Sequence, residues 1–166
     1  LLFLSTALRY YVVAKDADLP GDSAVAPENR VNWRISFSKA EKTLLRPASD
    51  YEKMYYRIVK YIFEAHREEL HPLSSYHLKT LFFHKRQRNT GREARCDKEI
   101  GTNVVRFLFE LKDCVRIASL QHFFIDRLNL FSTMEQTARD KIFLCLEGIL
   151  DKLVSDPKRF LDSLHV

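Results

Sequence analysis

Apolar side chains recur along this chain at two spacings, and the change from one to the other organises it. "LRYYVVA" (residues 8–14) and "VNWRISF" (residues 31–37) are both rich in aromatic and β-branched residues, and the second advances in steps of two. The stretch between them, "KDADLPGDSAVAPENR", holds the turn formers, so two strands joined by a surface loop are predicted. Alternation in the second strand sends Trp33, Ile35 and Phe37 to a core face and Arg34, Ser36 and Ser38 to the other.

Steps of three and four take over at Ser38, where Ser38 and Glu41 read as a capping box that opens a helix ended by Pro47. Asp50 is the expected cap of a longer helix with Tyr51, Met54, Tyr55, Ile58 and Ile62 on its apolar face and Lys53, Arg57 and Lys60 as a basic stripe opposite. Ser74 is placed to cap a helix through "SSYHLKTLFFHKRQR", which "NTGREAR" breaks. Asp97 then caps a helix whose buried side is Ile100, Val104, Phe107, Leu108, Leu111 and Val115. "SLQHFFIDRLNLF" reads as a short helical turn and an apolar connector. Ser132 and Glu135 repeat the capping box for a helix that "SDP" closes, and Pro157 suits the first position of a short final helix. The fold class is mainly α: two strands, residues 1–37, followed by a helical bundle, residues 38–166.

Length changes this picture little, since 166 residues make one domain or part of one with a real core. The absence of an initiator Met leads to the expectation of a segment from a longer protein. The opening run "LLFLSTAL" is too short for a bilayer and lacks the features of a secretory signal, so a soluble protein with no membrane partner is expected. Cys96, Cys114 and Cys145 are odd in number and widely spaced, which fits reduced thiols in the cytoplasm or nucleus. Cys114 and Cys145 fall on apolar patterns and are expected in the core. Charge adds more. Between Lys79 and Lys98 seven basic residues face Glu93 and Asp97 alone, an excess equal to the net charge of +5. Such a cluster suits an anionic partner, although most charge runs are solvated surface.

The chain shows no Gly-rich phosphate loop, no HExxH pattern and no nucleophile elbow, and its six histidines have no ligand spacing with cysteine, so no zinc is expected. Tyr76 follows two serines at a helix start, where backbone amides favour a phosphate and an aromatic face could stack on a base. A plain serine cap followed by a core tyrosine explains the same residues.

"WRISFSKAEKTLL", "KYIFE", "SSYHLKTLFFH", "LNLF" and "DPKRFLDSL", in that order, resemble the C-terminal part of the male-abnormal-twenty-one family. That family of nucleotidyltransferase-fold proteins includes cyclic GMP-AMP synthase and the receptors similar to it. The resemblance runs from about Leu8 to Leu164. It implies that the strands finish the nucleotidyltransferase sheet and that the helices form the lobe across its cleft. Arg34 then falls at an arginine that contacts the acceptor nucleotide, with Ser36 and Ser38 beside it, and Lys15 at a substrate-contacting lysine. Lys60 and Ser75 fall where donor triphosphate oxygens are held, and Tyr76 where an aromatic stacks on a nucleobase. Lys42, Lys53 and Arg57 match a nucleic-acid face.

The implied parent makes a cyclic dinucleotide from ATP and GTP with Mg or Mn, in response to double-stranded nucleic acid on which it would form a homodimer. This segment alone lacks the metal-binding carboxylates and should be inactive. The alternative is a non-catalytic developmental protein of the family with a nucleotide- or nucleic-acid-binding lobe. Two departures stand out. "LLRPASDYEK" replaces a zinc-binding insertion, which puts a clamp on double-stranded DNA in doubt, and Arg95 stands near the place of a usual Trp.

Overall fold

The structure is a computed structural model that describes residues 11–15, 32–88 and 100–164. The opening apolar run, the interstrand loop, the break after Arg88, the Asp97 cap, Cys96, Arg92, Arg95 and Lys98 lie outside the described residues. The chain forms two compact units, Leu1–Ala48 and Ser49–Val166. The first of these units holds the first helix together with the strands.

In the first unit, β1 (Tyr11–Lys15) pairs antiparallel with β2 (Asn32–Ser36). Tyr11 lies opposite Ser36, Val13 opposite Arg34 and Lys15 opposite Asn32. Directly opposed residues share a face of the pleat, so this register places positions 15, 34 and 36 on the same face. Helix α1 (Ser38–Leu45) follows at once. The expected Ser38–Glu41 box does not form, because Ser38 is already helical and the cap position falls to Phe37, which has no side-chain acceptor. The Ser38 hydroxyl instead accepts a hydrogen bond from Ser36 at 3.2 Å.

The second unit is helical: α2 (Asp50–Ala65), α3 (Ser75–Arg88), α4 (Ile100–Arg116), α5 (Gln136–Ser155) and α6 (Pro157–Asp162). Ser49, not Asp50, caps α2. Its hydroxyl accepts from the Glu52 amide at 3.1 Å while the Glu52 carboxylate accepts from the Ser49 amide at 2.7 Å. Asp50 has Lys53 three residues on, which cannot return such a bond. The apolar face of α2 is also turned from the expected one. Tyr55, Val59, Ile62 and Phe63 are buried, whereas Met54 is 51% exposed.

Helix α4 follows its pattern from the second turn on: Val104, Phe107, Leu108, Leu111 and Val115 are all buried, while Ile100 at its start is half-buried. Asn103 joins them because its amide donates to the Tyr51 hydroxyl, which satisfies a polar group that burial would otherwise penalise. Tyr55 and Tyr56 of α2, Phe82 of α3 and Phe107 of α4 form an aromatic cluster, with Tyr56 and Phe82 centroids 4.5 Å apart. Ile142, Leu146, Ile149, Leu150 and Leu153 complete the core from α5.

The expected helical turn after α4 is absent. Ala118, at φ 52°, ends the helix in the left-handed region, and Gln121 and Asn129 then form an isolated antiparallel bridge. Asn129 fastens this loop: its side-chain Oδ1 accepts from the Leu120 and Phe131 amides, and its side-chain Nδ2 donates to the Ala118 carbonyl. Ser132 sits in the turn that follows and donates to the Asn129 main-chain carbonyl at 2.8 Å; it stands three residues ahead of the cap position of α5, which falls to Glu135 and has no side-chain cap. Asp156 does cap α6, accepting from the Arg159 amide at 3.0 Å, with Pro157 in the first turn.

Candidate functional site

The start of α3 is built from Ser74, Ser75, Tyr76 and His77. Both the amide and the hydroxyl of Ser74 donate to His77 Nδ1, at 3.1 and 3.0 Å. The imidazole thus plays the part that a glutamate plays in a capping box. Ser75 stands exposed in the first turn. Burial pushes the His77 pKa below its ordinary 6.5, so the ring stays neutral as an acceptor. A depressed basic pKa contributes stability that is complete above pH 6.5 and is lost as pH falls below it. Urea midpoints at pH 7.5 and pH 5.5 are therefore expected to fall further in the wild type than in His77→Gln. Equal falls would mean that His77 does not titrate with folding.

Tyr76 is half-buried. Its hydroxyl meets Nε2 of the buried His122 at 2.8 Å, and the two ring centroids are 5.3 Å apart. The amides of Phe124 and Ile125 both donate to His122 Nδ1, at 3.1 and 2.9 Å. A nitrogen that accepts two amides carries no proton, so His122 bears its proton on Nε2 and donates it to Tyr76. Tyr76 is thereby held at a fixed angle by a residue on the loop after α4. His122 and Asn129 are the supporting residues that the sequence reading did not single out.

Among the other expected site residues, Lys60 and Arg57 are exposed on α2, and Lys53 beside them lies 3.5 Å from Asp50. Lys42 is exposed on α1. Ser36 and Ser38 are hydrogen-bonded to each other, and Lys15 and Arg34 are placed by the strand register, their side chains lying outside the described part. The structure brings together Lys53, Arg57 and Lys60 on one helix face, and Ser75 with Tyr76 at one helix start.

The basic cluster after Lys79 is less available than its sequence suggests. Lys85 is buried and pairs with Glu110 at 2.7 Å, Arg88 takes the other Glu110 oxygen at 2.8 Å, and Arg86 pairs with Glu52 at 2.8 Å. Three of the seven basic residues are thus tied to carboxylates on α2 and α4. Cys114 and Cys145 are half-buried, not fully in the core, and burial raises both thiols above their ordinary range. They are poor nucleophiles at neutral pH. Among the described residues no group of three His, Cys, Asp or Glu could hold a metal ion. No helix among them is long and apolar enough to cross a membrane.

The signature of the Mab-21 protein HhH/H2TH-like domain matches residues 51–148. The chain is 28% identical over 150 residues to cyclic GMP-AMP synthase of Mus musculus, a match over 81% of this chain and 29% of that protein. It is 26% identical over 148 residues to protein mab-21-like of Aedes aegypti, covering 88% of this chain and 37% of the relative. A cyclic GMP-AMP synthase-like receptor of Magallana gigas is 29% identical over 134 residues, 75% of this chain and 22% of its own length. The chain therefore spans well under half of the curated relatives it matches.

Proposed function

Because the chain belongs to the Mab-21 family, we propose that it is the C-terminal part of a cyclic GMP-AMP synthase-like nucleotidyltransferase, a nucleic-acid sensor that makes a cyclic dinucleotide from ATP and GTP. The observation that carries this reading is the similarity to a named synthase and a named receptor over three-quarters or more of the chain. In this reading β1 and β2 are the last strands of the nucleotidyltransferase sheet, and positions 15, 34 and 36 on their shared face look onto the nucleotide.

Transfer of a nucleotidyl group needs positioning and charge compensation more than covalent help from the protein. Lys15, Arg34 and Lys60 supply positive charge to the phosphates, Ser75 and the Ser36–Ser38 pair supply hydroxyls, and Tyr76 offers a face to a base. Magnesium or manganese supplies the remaining charge neutralisation when bound. No group of three His, Cys, Asp or Glu among the described residues fits such an ion, and in this reading its carboxylates come from another part of the complete protein. Lys42, Lys53 and Arg57 track the backbone of a double-stranded nucleic acid without reading its bases. The protein works in the cytoplasm or nucleus.

A second reading, a non-catalytic Mab-21-type protein that keeps a nucleotide- or nucleic-acid-binding lobe, is favoured by the match to protein mab-21-like over 88% of this chain. Incubating the complete protein with ATP, GTP and magnesium or manganese, with and without double-stranded RNA or DNA, separates the two. A dinucleotide is expected; nucleotide binding without product under every condition establishes the second reading. Tyr76→Ala is expected to weaken nucleotide affinity about ten-fold through loss of stacking. Tyr76→Phe should keep that affinity and instead destabilise the fold, because it leaves the His122 Nε2–H without its acceptor. Equal nucleotide affinity in both variants would remove Tyr76 from the site.

A further inference from the structure

Helix α5 carries a second face that is largely exposed among the described residues. Opposite its buried side, Thr137, Lys141, Leu144, Gly148, Asp151 and Ser155 follow at steps of four, three, four, three and four. That is the spacing of a seam between paired helices. Leu144, in the middle of it, is 65% exposed. Gly148 lies within the helix, where glycine is unfavourable, yet an added Cβ would meet nothing within 4 Å. Nothing among the described residues requires the glycine. A close neighbour outside this chain would.

The seam is self-complementary about the level of Leu146. In an antiparallel pair centred there, positions whose numbers are equally far from 146 lie opposite one another. Leu144 then faces Gly148 of the second copy, a large apolar side chain over a bare stretch of backbone. Lys141 faces Asp151 of the second copy, and Thr137 faces Ser155. Lys141 and Asp151 are both exposed. A parallel pair would set Lys141 against Lys141 and Asp151 against Asp151, so charge alone selects the antiparallel arrangement.

We propose that α5 is the centre of a two-fold interface at which two copies of this chain pair antiparallel, with Leu144 seated on Gly148 and Lys141 paired to Asp151 across the axis. Isologous pairing of this kind makes every contact twice. Small residues at positions 137, 148 and 155 let the helix axes approach closely. Phe109 and Val154, 52% and 64% exposed, line the groove between α4 and α5 and extend the apolar surface beyond one helix. The seam itself carries as many acids as bases, so pairing there does not depend on nucleic acid and is separate from any dimer formed on it.

Sedimentation equilibrium of the complete protein, freed of nucleic acid, tests this. A concentration-dependent dimer is expected. Lys141→Asp and Asp151→Lys should each raise its dissociation constant about ten-fold or more, since each replaces two attractive contacts with two repulsive ones. The double variant K141D/D151K restores opposite charges across the axis and should return within about three-fold of the wild type. Gly148→Leu should weaken the dimer while leaving helical content intact, because the added side chain has open space within one copy. A protein that stays monomeric up to about 100 μM, a dimer indifferent to the single charge reversals, or one that the double variant fails to restore would overturn the proposal.

Discussion

Glu110→Ala is expected to lower the unfolding free energy of the helical unit by about 3–5 kcal/mol, the usual cost of leaving a buried charge alone. The Glu110 carboxylate divides its oxygens between Lys85 at 2.7 Å and Arg88 at 2.8 Å. The two partners differ in burial. The Lys85 side chain is 6% exposed and that of Arg88 is 62% exposed, so water replaces Glu110 for Arg88 but not for Lys85. The converse substitution, Lys85→Met, removes the buried charge together with its desolvation cost and leaves Glu110 with Arg88, so it should cost less than about 2 kcal/mol. In the Lys85→Met background Glu110→Ala should then become nearly harmless. Denaturant titration of the four proteins measures the cycle. If Lys85→Met proved the more costly single change, the ammonium would not depend on Glu110.

This network shows where a sequence misleads about charge. Counting along the chain, the window from Lys79 to Lys98 looks strongly cationic. The acids that neutralise Lys85, Arg86 and Arg88 come from Glu52 and Glu110, on other helices. No local count can include them. The reverse holds for α2, where Lys53, Arg57 and Lys60 share one outward face by helical spacing alone, and that spacing is fully visible in the sequence.

The helices themselves were legible where one apolar stripe is much stronger than its neighbours. In α4 the residues at steps of three and four are the buried ones, and only Asn103 needed a partner from outside the helix to be understood. In α2 two overlapping apolar stripes exist, one through Met54 and Ile58, the other through Val59 and Phe63. Which edge of the helix meets the core is settled by the aromatic cluster with Phe82 and Phe107, from distant parts of the chain. Caps show the same limit. The pattern S-x-x-E occurs at Ser38, Ser49 and Ser132, and only Ser49, with an extended backbone (φ −62°, ψ 159°), stands at a cap position; Ser38 already lies inside α1, and the cap of α5 falls to Glu135. Ser132 is held in a turn by Asn129.

For the site, the serines and Tyr76 at the start of α3 were visible in the sequence pattern and were given roles by the family resemblance, while the residue that positions Tyr76 had no sequence signal. His122 lies 46 residues away in a loop whose path depends on Asn129. His77 could have been found. It stands three residues after a capping serine, and an imidazole nitrogen can accept an amide as a carboxylate does.

The largest functional effect is expected from reversing the charge on α2. If this face follows a phosphate backbone, Lys53→Glu with Arg57→Glu in the complete protein should weaken binding to double-stranded nucleic acid about a hundred-fold near physiological salt. Each lost phosphate contact removes about 0.9 from the slope of log affinity against log salt, so the double variant should be less salt-sensitive by about 1.8. Arg57 is exposed and Lys53 is tied only to Asp50, an acid in the first turn of its own helix, so neither substitution disturbs a buried pair. The slope distinguishes this outcome from general destabilisation, which would lower affinity at every salt concentration without changing the number of counterions released. Arg86→Gln provides the contrast. Its guanidinium is committed to Glu52 at 2.8 Å, so the salt slope should stay at the wild-type value. A slope unchanged in the α2 variant, or one that falls equally in Arg86→Gln, would place the nucleic-acid contacts elsewhere on the protein.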